Sequence, residues 1–407
     1  MGSVAEAIEV MNEAGLSARE KKVFFPTYER LPIGAVVRAE GAYIYTDDGQ
    51  KYLDAIAGLG VNALGHSDPE IVSAIKSQTE KFLHLSNLYL QEPQVLLAEQ
   101  LSKLSGWDKV FFTNSGTEAT EGAIKLARKY FSSDTKNELV GIANGFHGRT
   151  YAALSIMDKE KYRTGYGPFL TDTKIADLSE PASLETVISE KTAAVILEVI
   201  QGEGGIVEIP SAIIEALVRL REKYHFLIIA DEIQSGIGRT GTFFAYEQFG
   251  FKPDIVMCAK AIGGGLPLGA ILTSNEIASV MKPGSHGTTF GGNALACAAG
   301  KVVLDRIQNG LLNDVKENSD YLFAGLRKLQ TLFPQLIKEI RGRGFMIGIE
   351  LASGAKEAVT SLLKDHFIIA NLTAENVIRL LPPLIFTKKE SDELLFALGE
   401  VFGKTAI

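Results

Sequence analysis

The sequence predicts an α/β fold, with a large domain on a mostly parallel sheet and a smaller α+β domain after it. Three observations predict it. Short apolar, β-branched runs recur: "KVFFT" (109–113), "ELVGIA" (138–143), "AAVILEVI" (193–200), "FLIIADE" (226–232), "DIVMCA" (254–259) and "GAILTS" (269–274). Most are apolar on both faces, as strands covered by helices on both sides are. Between them lie stretches with apolar residues at three-to-four spacing, "TEATEGAIKLARKYF" (117–131) and "SAIIEALVRLREKYH" (211–225). Such alternation builds parallel sheets. After about residue 300 the pattern changes to two long helical stretches (about 293–332), then "GFMIGIEL" (344–351) and "NVIRLLPPL" (376–384). The expected boundaries are 1–55 (packing with the small domain, "AYIYTDDGQKYLD" forming a hairpin), 56–300 and 301–407.

The 407 residues are 46% hydrophobic and 22% charged, an ordinary globular composition too long for one simple core. The net charge of −8 and the lack of a Lys/Arg block argue against nucleic acid or an anionic membrane as partner. No apolar stretch approaches the roughly 20 residues of a membrane span, and the first twenty residues lack the layout of a signal peptide. Cys258 and Cys297 are not in metal-ligand spacing. The expectation is a cytoplasmic protein without a metal site.

The chemistry-bearing positions sit where strands end. "FFTNSGTEATEGAIK" (111–125) leads from a strand through Ser115-Gly116-Thr117 into a helix. Such an N-terminus offers free N–H groups and a positive dipole end to a phosphate. Alone, the stretch is equally an ordinary N-cap with a capping box. It matches neither the dinucleotide pattern G-x-G-x-x-G nor a P-loop. Asp231 closes one buried run and Lys260 ends another, 29 residues later. Open α/β sheets bind ligands beyond such strand ends. Singly, Asp231 reads as an N-cap or an ion pair with Arg239, and Lys260 as a snorkelling lysine. Together, an amine, an acid and a phosphate cradle are what pyridoxal 5′-phosphate needs for its aldehyde, its ring nitrogen and its phosphate.

The motifs "NSGTEA", "GFHGRT", "EVIQGEGG", "DEIQSGIGRTG", "PDIVMCAKAIGGGLPLGA" and "HGTTFGGN", in this order, resemble the class III pyridoxal-phosphate aminotransferases, most closely the acetylornithine aminotransferase branch. The resemblance implies fold type I with a seven-stranded large-domain sheet, a pyridoxal 5′-phosphate cofactor and a cytoplasmic homodimer with shared sites. It implies that Lys260 holds the cofactor and moves protons, that Asp231 pairs with the ring N–H, and that Gln234 reaches the ring hydroxyl. Gly116 and Thr117 then bind the phosphate, as does Thr289 from the other subunit, and Phe146 stacks on the ring. Ser115, Glu232 and Ile233 complete the implied cofactor set. Arg149 and Thr288 contact substrate, and Glu203 masks Arg379 until an α-carboxylate arrives.

The implied reaction moves the terminal amine of N-acetylornithine to 2-oxoglutarate, in arginine biosynthesis. The alternatives are another ω-amino donor (ornithine, succinylornithine, 4-aminobutyrate or an aminoadipate-semialdehyde derivative), an aminomutase or decarboxylase, and a non-catalytic binding protein. Leu59 lies where relatives vary in the pocket, and its apolar side chain disfavours a charged free α-amine. Asp68, Thr120 and Ala294 depart from the residues usual in the family, histidine, asparagine and proline respectively.

Overall fold

The computed structural model describes residues 15–133 and 135–405. Most of the stretch read for a signal peptide lies outside them. After a short helix (Leu16–Val23) comes an antiparallel meander, β1 (Val36–Glu40), β2 (Tyr43–Thr46) and β3 (Lys51–Asp54). The expected hairpin is its β2–β3 half. β3 also pairs, in parallel, with β15 (Ile368–Ile369), so the first segment joins the C-terminal part.

The central sheet has seven strands: β4 (Lys109–Thr113), β5 (Glu138–Ile142), β6 (Thr173–Ala176), β7 (Thr192–Leu197), β10 (Leu227–Asp231), β11 (Ile255–Cys258) and β12 (Gly269–Thr273). Their order is β4-β12-β11-β10-β7-β5-β6. β12 runs antiparallel to both its neighbours, and the other pairings are parallel. The carboxyl ends of β4, β5, β7, β10 and β11 therefore share one edge, where α/β sheets hold their ligands. β7, β10, β11 and β12 are buried along their whole length, which explains their unbroken apolar sequences.

The run at 193–200 is not one strand. β7 stops at Leu197, and the chain resumes as β8 (Ile200–Gln201), paired with β9 (Val207–Glu208). The edge strand β6 carries no apolar signature and escaped the sequence reading. The second sheet, β13 (Ile337–Arg343), β14 (Met346–Leu351), β17 (Val377–Leu380) and β16 (Asn371–Thr373), is ordered β13-β14-β17-β16 and antiparallel throughout.

Among the described residues, helices of twelve or more residues are α1 (Pro69–Lys81), α2 (Glu92–Ser105), α3 (Gly116–Tyr130), α4 (Ser211–Tyr224), α5 (Ala294–Arg306), α6 (Leu312–Leu332), α7 (Ala355–His366) and α8 (Lys388–Thr405). α3 crosses the central sheet, while α5 packs on α1 and α2. The three unusual residues have local explanations. Asp68 caps α1, accepting from the Glu70 and Ile71 amides at 2.9 and 3.1 Å. Thr120 Oγ1 donates to the His147 carbonyl at 2.8 Å. Ala294 opens α5 beneath the Asn293 cap.

Two glycines give opposite expectations for stability. A Cβ on Gly141, in β5, would lie 2.0 Å from the Ile156 carbonyl oxygen. Gly141→Ala should cost about 1–3 kcal/mol, read as a lower thermal midpoint. Gly403, in α8, would put its Cβ 3.9 Å from Phe333, an ordinary contact. Gly403→Ala should stabilise by about 0.4–1 kcal/mol, because alanine has less backbone freedom to lose.

Candidate active site

The strand ends and the α3 N-terminus enclose a cavity of about 460 Å³. Its walls include Ser115, Gly116, Thr117, Phe146, Arg149, Glu203, Asp231, Ile233, Gln234 and Lys260, ten of the positions singled out in the sequence.

Lys260 follows β11 by one residue and has φ +49°, a left-handed conformation costly for a side chain with a Cβ. Its amine is desolvated among protein groups. Burial first, then the charge of Arg379, lowers its pKa to about 8, against the opposing pull of Glu203, Glu198 and Asp231. A free amine is thus within reach near neutrality.

Asp231 ends β10. Its Oδ1 accepts the Ile233 amide at 3.0 Å, and its Oδ2 lies 2.7 Å from Nδ1 of the fully buried His147. Burial works against a charge on His147, but the hydrogen bond and charge of Asp231, with the charge of Glu198, raise its pKa overall. Asp231 is therefore held as an oriented carboxylate, suited to a cationic ring N–H. The sequence reading missed His147, although "GFHGRT" contains it. The expected alternative, an Asp231–Arg239 ion pair, does not form. Arg239 is buried and donates through Nη1 to the carbonyls of Phe345 (3.2 Å) and Pro382.

At the α3 N-terminus the Ser115 hydroxyl accepts from the Glu118 amide at 3.3 Å, so it is an N-cap. Thr117 Oγ1 lies 2.8 Å from Thr150 Oγ1. Ser115, Gly116 and Thr117 line the cavity at this helix end, where the first amides of a helix lack intrahelical acceptors, as a phosphate requires. Phe146 and Ile233 add apolar surface. Gln234 brings a buried Oε1 that has no hydrogen-bond partner. An amine, an anchored carboxylate, an anion-binding helix end, flat apolar surface and an unpartnered acceptor together fit pyridoxal 5′-phosphate.

Arg379 of β17 is 2% exposed and makes its ion pair to Glu203, with Nη1 to Oε1 at 2.5 Å. Nη1 also donates to the Gly202 carbonyl at 3.3 Å, and Nε to Asn371 at 3.0 Å. Burial works to raise the Glu203 pKa, but Arg379 outweighs it and the pKa is lowered. Arg149, by contrast, is exposed, and no carboxylate among the described residues pairs with it. Its guanidinium lies 3.9 Å from the Tyr162 ring centre.

Several expected residues lie outside the cavity. Glu232 turns away, because its carboxylate accepts from Ser235, Ala245 and Tyr246 at 2.7–2.9 Å and ties down the loop after β10. It is therefore not among the residues that line the cavity, where the cofactor role expected of it would place it. Thr288 hydrogen-bonds Asn114 and Glu118 at 2.9 and 3.0 Å. Thr289 is exposed. Leu59, 42% exposed, is likewise not in the lining, whereas Val61 is. Glu198, just beyond β7, lines the cavity and was missed as well.

Residues 25–402 match the family model for class III aminotransferases. The chain is 45% identical over 390 residues to the acetylornithine aminotransferase of Caldanaerobacter subterraneus subsp. tengcongensis, covering 95% of this chain and 98% of that protein. Its fold is similar to that of N-acetylornithine aminotransferase from Stenotrophomonas maltophilia (TM-score 0.81, 31% identity, 96% of this chain and 99% of that one). It is also similar to ornithine aminotransferase from Toxoplasma gondii, in a structure described with PLP at partial occupancy in its active site (TM-score 0.90, 28% identity, 99% of this chain and 98% of that one). The chain belongs to the class III aminotransferases. It is a fold-type I aminotransferase, and its cofactor is pyridoxal 5′-phosphate.

The lowered Lys260 pKa gives a pH dependence. The amine must be unprotonated to attack an aldehyde, so capture of pyridoxal 5′-phosphate by the apoprotein should fall about tenfold per pH unit below a limb near 8. Because the Glu203 charge holds that limb up, Glu203→Gln should move it to lower pH. Stopped-flow absorbance between about pH 6 and 10 measures both. A limb near the ordinary lysine value of 10.5 would contradict the assignment.

Proposed function

We propose that this enzyme transfers the terminal amine of N-acetylornithine to 2-oxoglutarate, giving N-acetylglutamate 5-semialdehyde and glutamate, a step of arginine biosynthesis. The observation that carries the reading is the contrast between two guanidiniums, Arg149 open at the cavity and Arg379 masked by Glu203. A donor whose only carboxylate is remote from its reacting amine needs the first and must not meet the second uncovered. Glutamate and 2-oxoglutarate carry a carboxylate beside the reacting carbon, and the Glu203 side chain must then leave Arg379 free. Arg149 suits the remote carboxylate because a guanidinium binds it through two parallel hydrogen bonds. The near-full-length likeness to acetylornithine aminotransferases supports the donor.

When bound, pyridoxal 5′-phosphate supplies an electron sink for the negative charge that develops on the substrate carbon. Lys260 would hold the cofactor and, once released from it, its amine would take up and return a proton at the substrate carbon that bears the amine. Such a positioned base contributes about 10²–10⁴ in rate. Asp231, oriented by His147, would pair with the ring nitrogen and favour its protonated form. Gln234 would meet the ring hydroxyl, Phe146 and Ile233 would cover the ring, and the start of α3 with Ser115, Gly116 and Thr117 would take the phosphate.

Thr289 would complete that phosphate site from a second copy of the chain, and Thr288 would contact substrate. Leu83, Leu88, Tyr89, Leu90 and Phe290 are 56–96% exposed, an apolar surface that a homodimer would cover. Both cysteines are buried and free, consistent with the reducing cytoplasm we assign it to.

A panel of N-acetylornithine, succinylornithine, ornithine and 4-aminobutyrate, each with 2-oxoglutarate, tests the donor. N-acetylornithine should give the highest kcat/KM, and a clear preference for 4-aminobutyrate would refute the choice. Arg149→Ala should lower kcat/KM for N-acetylornithine about 10–100-fold, chiefly through KM. Lys260→Ala should lose at least about 10²-fold in kcat. Sedimentation should give twice the chain mass, and Thr289→Ala should weaken cofactor binding.

A further inference from the structure

We infer that Glu198 is a positioning residue: its one carboxylate fixes the backbone of Phe146 on one wall of the cleft and of Gly202 on another. Through them it sets the ring face of Phe146 and the movement of Glu203.

Glu198 is the residue at which β7 leaves the sheet, one position past Leu197. It is 6% exposed, so its carboxylate has little water to turn to. Each of its oxygens is used once. Oε2 accepts the Phe146 amide at 2.9 Å, and Oε1 accepts the Gly202 amide at 3.1 Å. These amides belong to different turns, the one after β5 and the one after β8. Gln201 Nε2 to the Ala143 carbonyl, at 2.7 Å, is a second link between them.

The Gly202 peptide is a meeting point. Its N–H goes to Glu198 and its carbonyl accepts from Arg379 Nη1. A Cβ at this position would lie 2.3 Å from Gln234 Oε1. The next residue is Glu203. With Gly202 held on both sides, Glu203 can leave Arg379 by turning its own side chain, without dragging its turn along. If the Gly202 amide were released, the Glu203 carboxylate would be less firmly seated on Arg379.

A carboxylate is required because both donors are N–H groups and both oxygens must accept. An amide has one accepting oxygen and an NH₂ that faces an N–H, so it must give up one of the two bonds. Burial, with the neighbouring Asp231 charge, pushes the Glu198 pKa up to about 7, while His147 and the two amides hold it down. The two-acceptor role belongs to the ionised form, and burying an ionisable group there carries a cost that filling space would not require.

This inference rests on the roles proposed above for Phe146 and Glu203. The test compares Glu198→Gln and Glu198→Asp with Phe146→Ala and Glu203→Ala as controls. Two quantities are read: the dissociation constant and visible circular dichroism of bound pyridoxal 5′-phosphate, and the ratio of kcat/KM for glutamate to that for N-acetylornithine. Glu198→Gln should raise the dissociation constant roughly tenfold with an altered dichroic band. It should also shift the ratio toward glutamate by about fivefold, in the direction of Glu203→Ala. Glu198→Asp, which keeps two accepting oxygens, should recover part of both effects. If Glu198→Gln does not fold, Glu198→Asp alone must show the same two shifts at smaller size. The inference falls if both quantities stay within about twofold of wild type while the controls respond, or if Glu198→Asp is no better than Glu198→Gln. Silence of the controls as well would overturn the reading of the site itself.

Discussion

The site depends on a lysine amine placed at the end of a strand that no water reaches. Every residue of β11 is buried, and Lys260 follows it after Ala259 in a strained left-handed conformation. That placement denies the ammonium its hydration and makes the neutral amine accessible, but it also imports a positive group into a low-dielectric cleft. The surrounding acids answer that need. Asp231, Glu198 and Glu203 sit at the ends of neighbouring strands or in the turns beyond them, and all three favour the charged lysine. Arg379 opposes them. The amine is therefore tuned by a balance of charges that the parallel sheet brings to a single edge.

That balance explains why the acids differ so much in environment. Asp231 faces His147, Glu203 faces Arg379, and Glu198 faces two backbone amides. Each carboxylate has a distinct partner that holds it in place, so none is free to pair directly with Lys260 and quench it. Glu232, the fourth acid at this edge, has been turned outward to organise the loop after β10.

Much of this is written locally in the chain. β4 and the helix after it follow from residues 109–131 because the apolar run stops at Thr113 and the Ser115 cap starts the helix two residues on. Lys260, Asp231 and the Ser115-Gly116-Thr117 turn were recoverable because strand ends are visible as the point where an apolar run stops. β6 was not, since an edge strand is only partly covered and "TKIA" carries little apolar pattern. β13, "IKEIRGR", hides for the same reason, with its charged side chains near the surface. The Glu203–Arg379 pair joins residues 176 positions apart, and no local pattern encodes it; only the family resemblance suggested it. Glu198 was overlooked because it was read as part of an uninterrupted run. An acid in the middle of "AAVILEVI" was itself the signal that the strand ends there.

Arg239 carries a consequence for the order in which the chain becomes native. Its guanidinium is buried without a carboxylate, and the acceptors it has are main-chain carbonyls of Phe345 and Pro382. Those residues are made more than a hundred positions later. While the chain is being synthesised, the loop beside Asp231 and Gln234 thus holds a cation whose acceptors do not yet exist, and which must stay in water. Arg239 ties the loop at the edge of the cleft to the second sheet, and the buried cation has its acceptors only when both are in place.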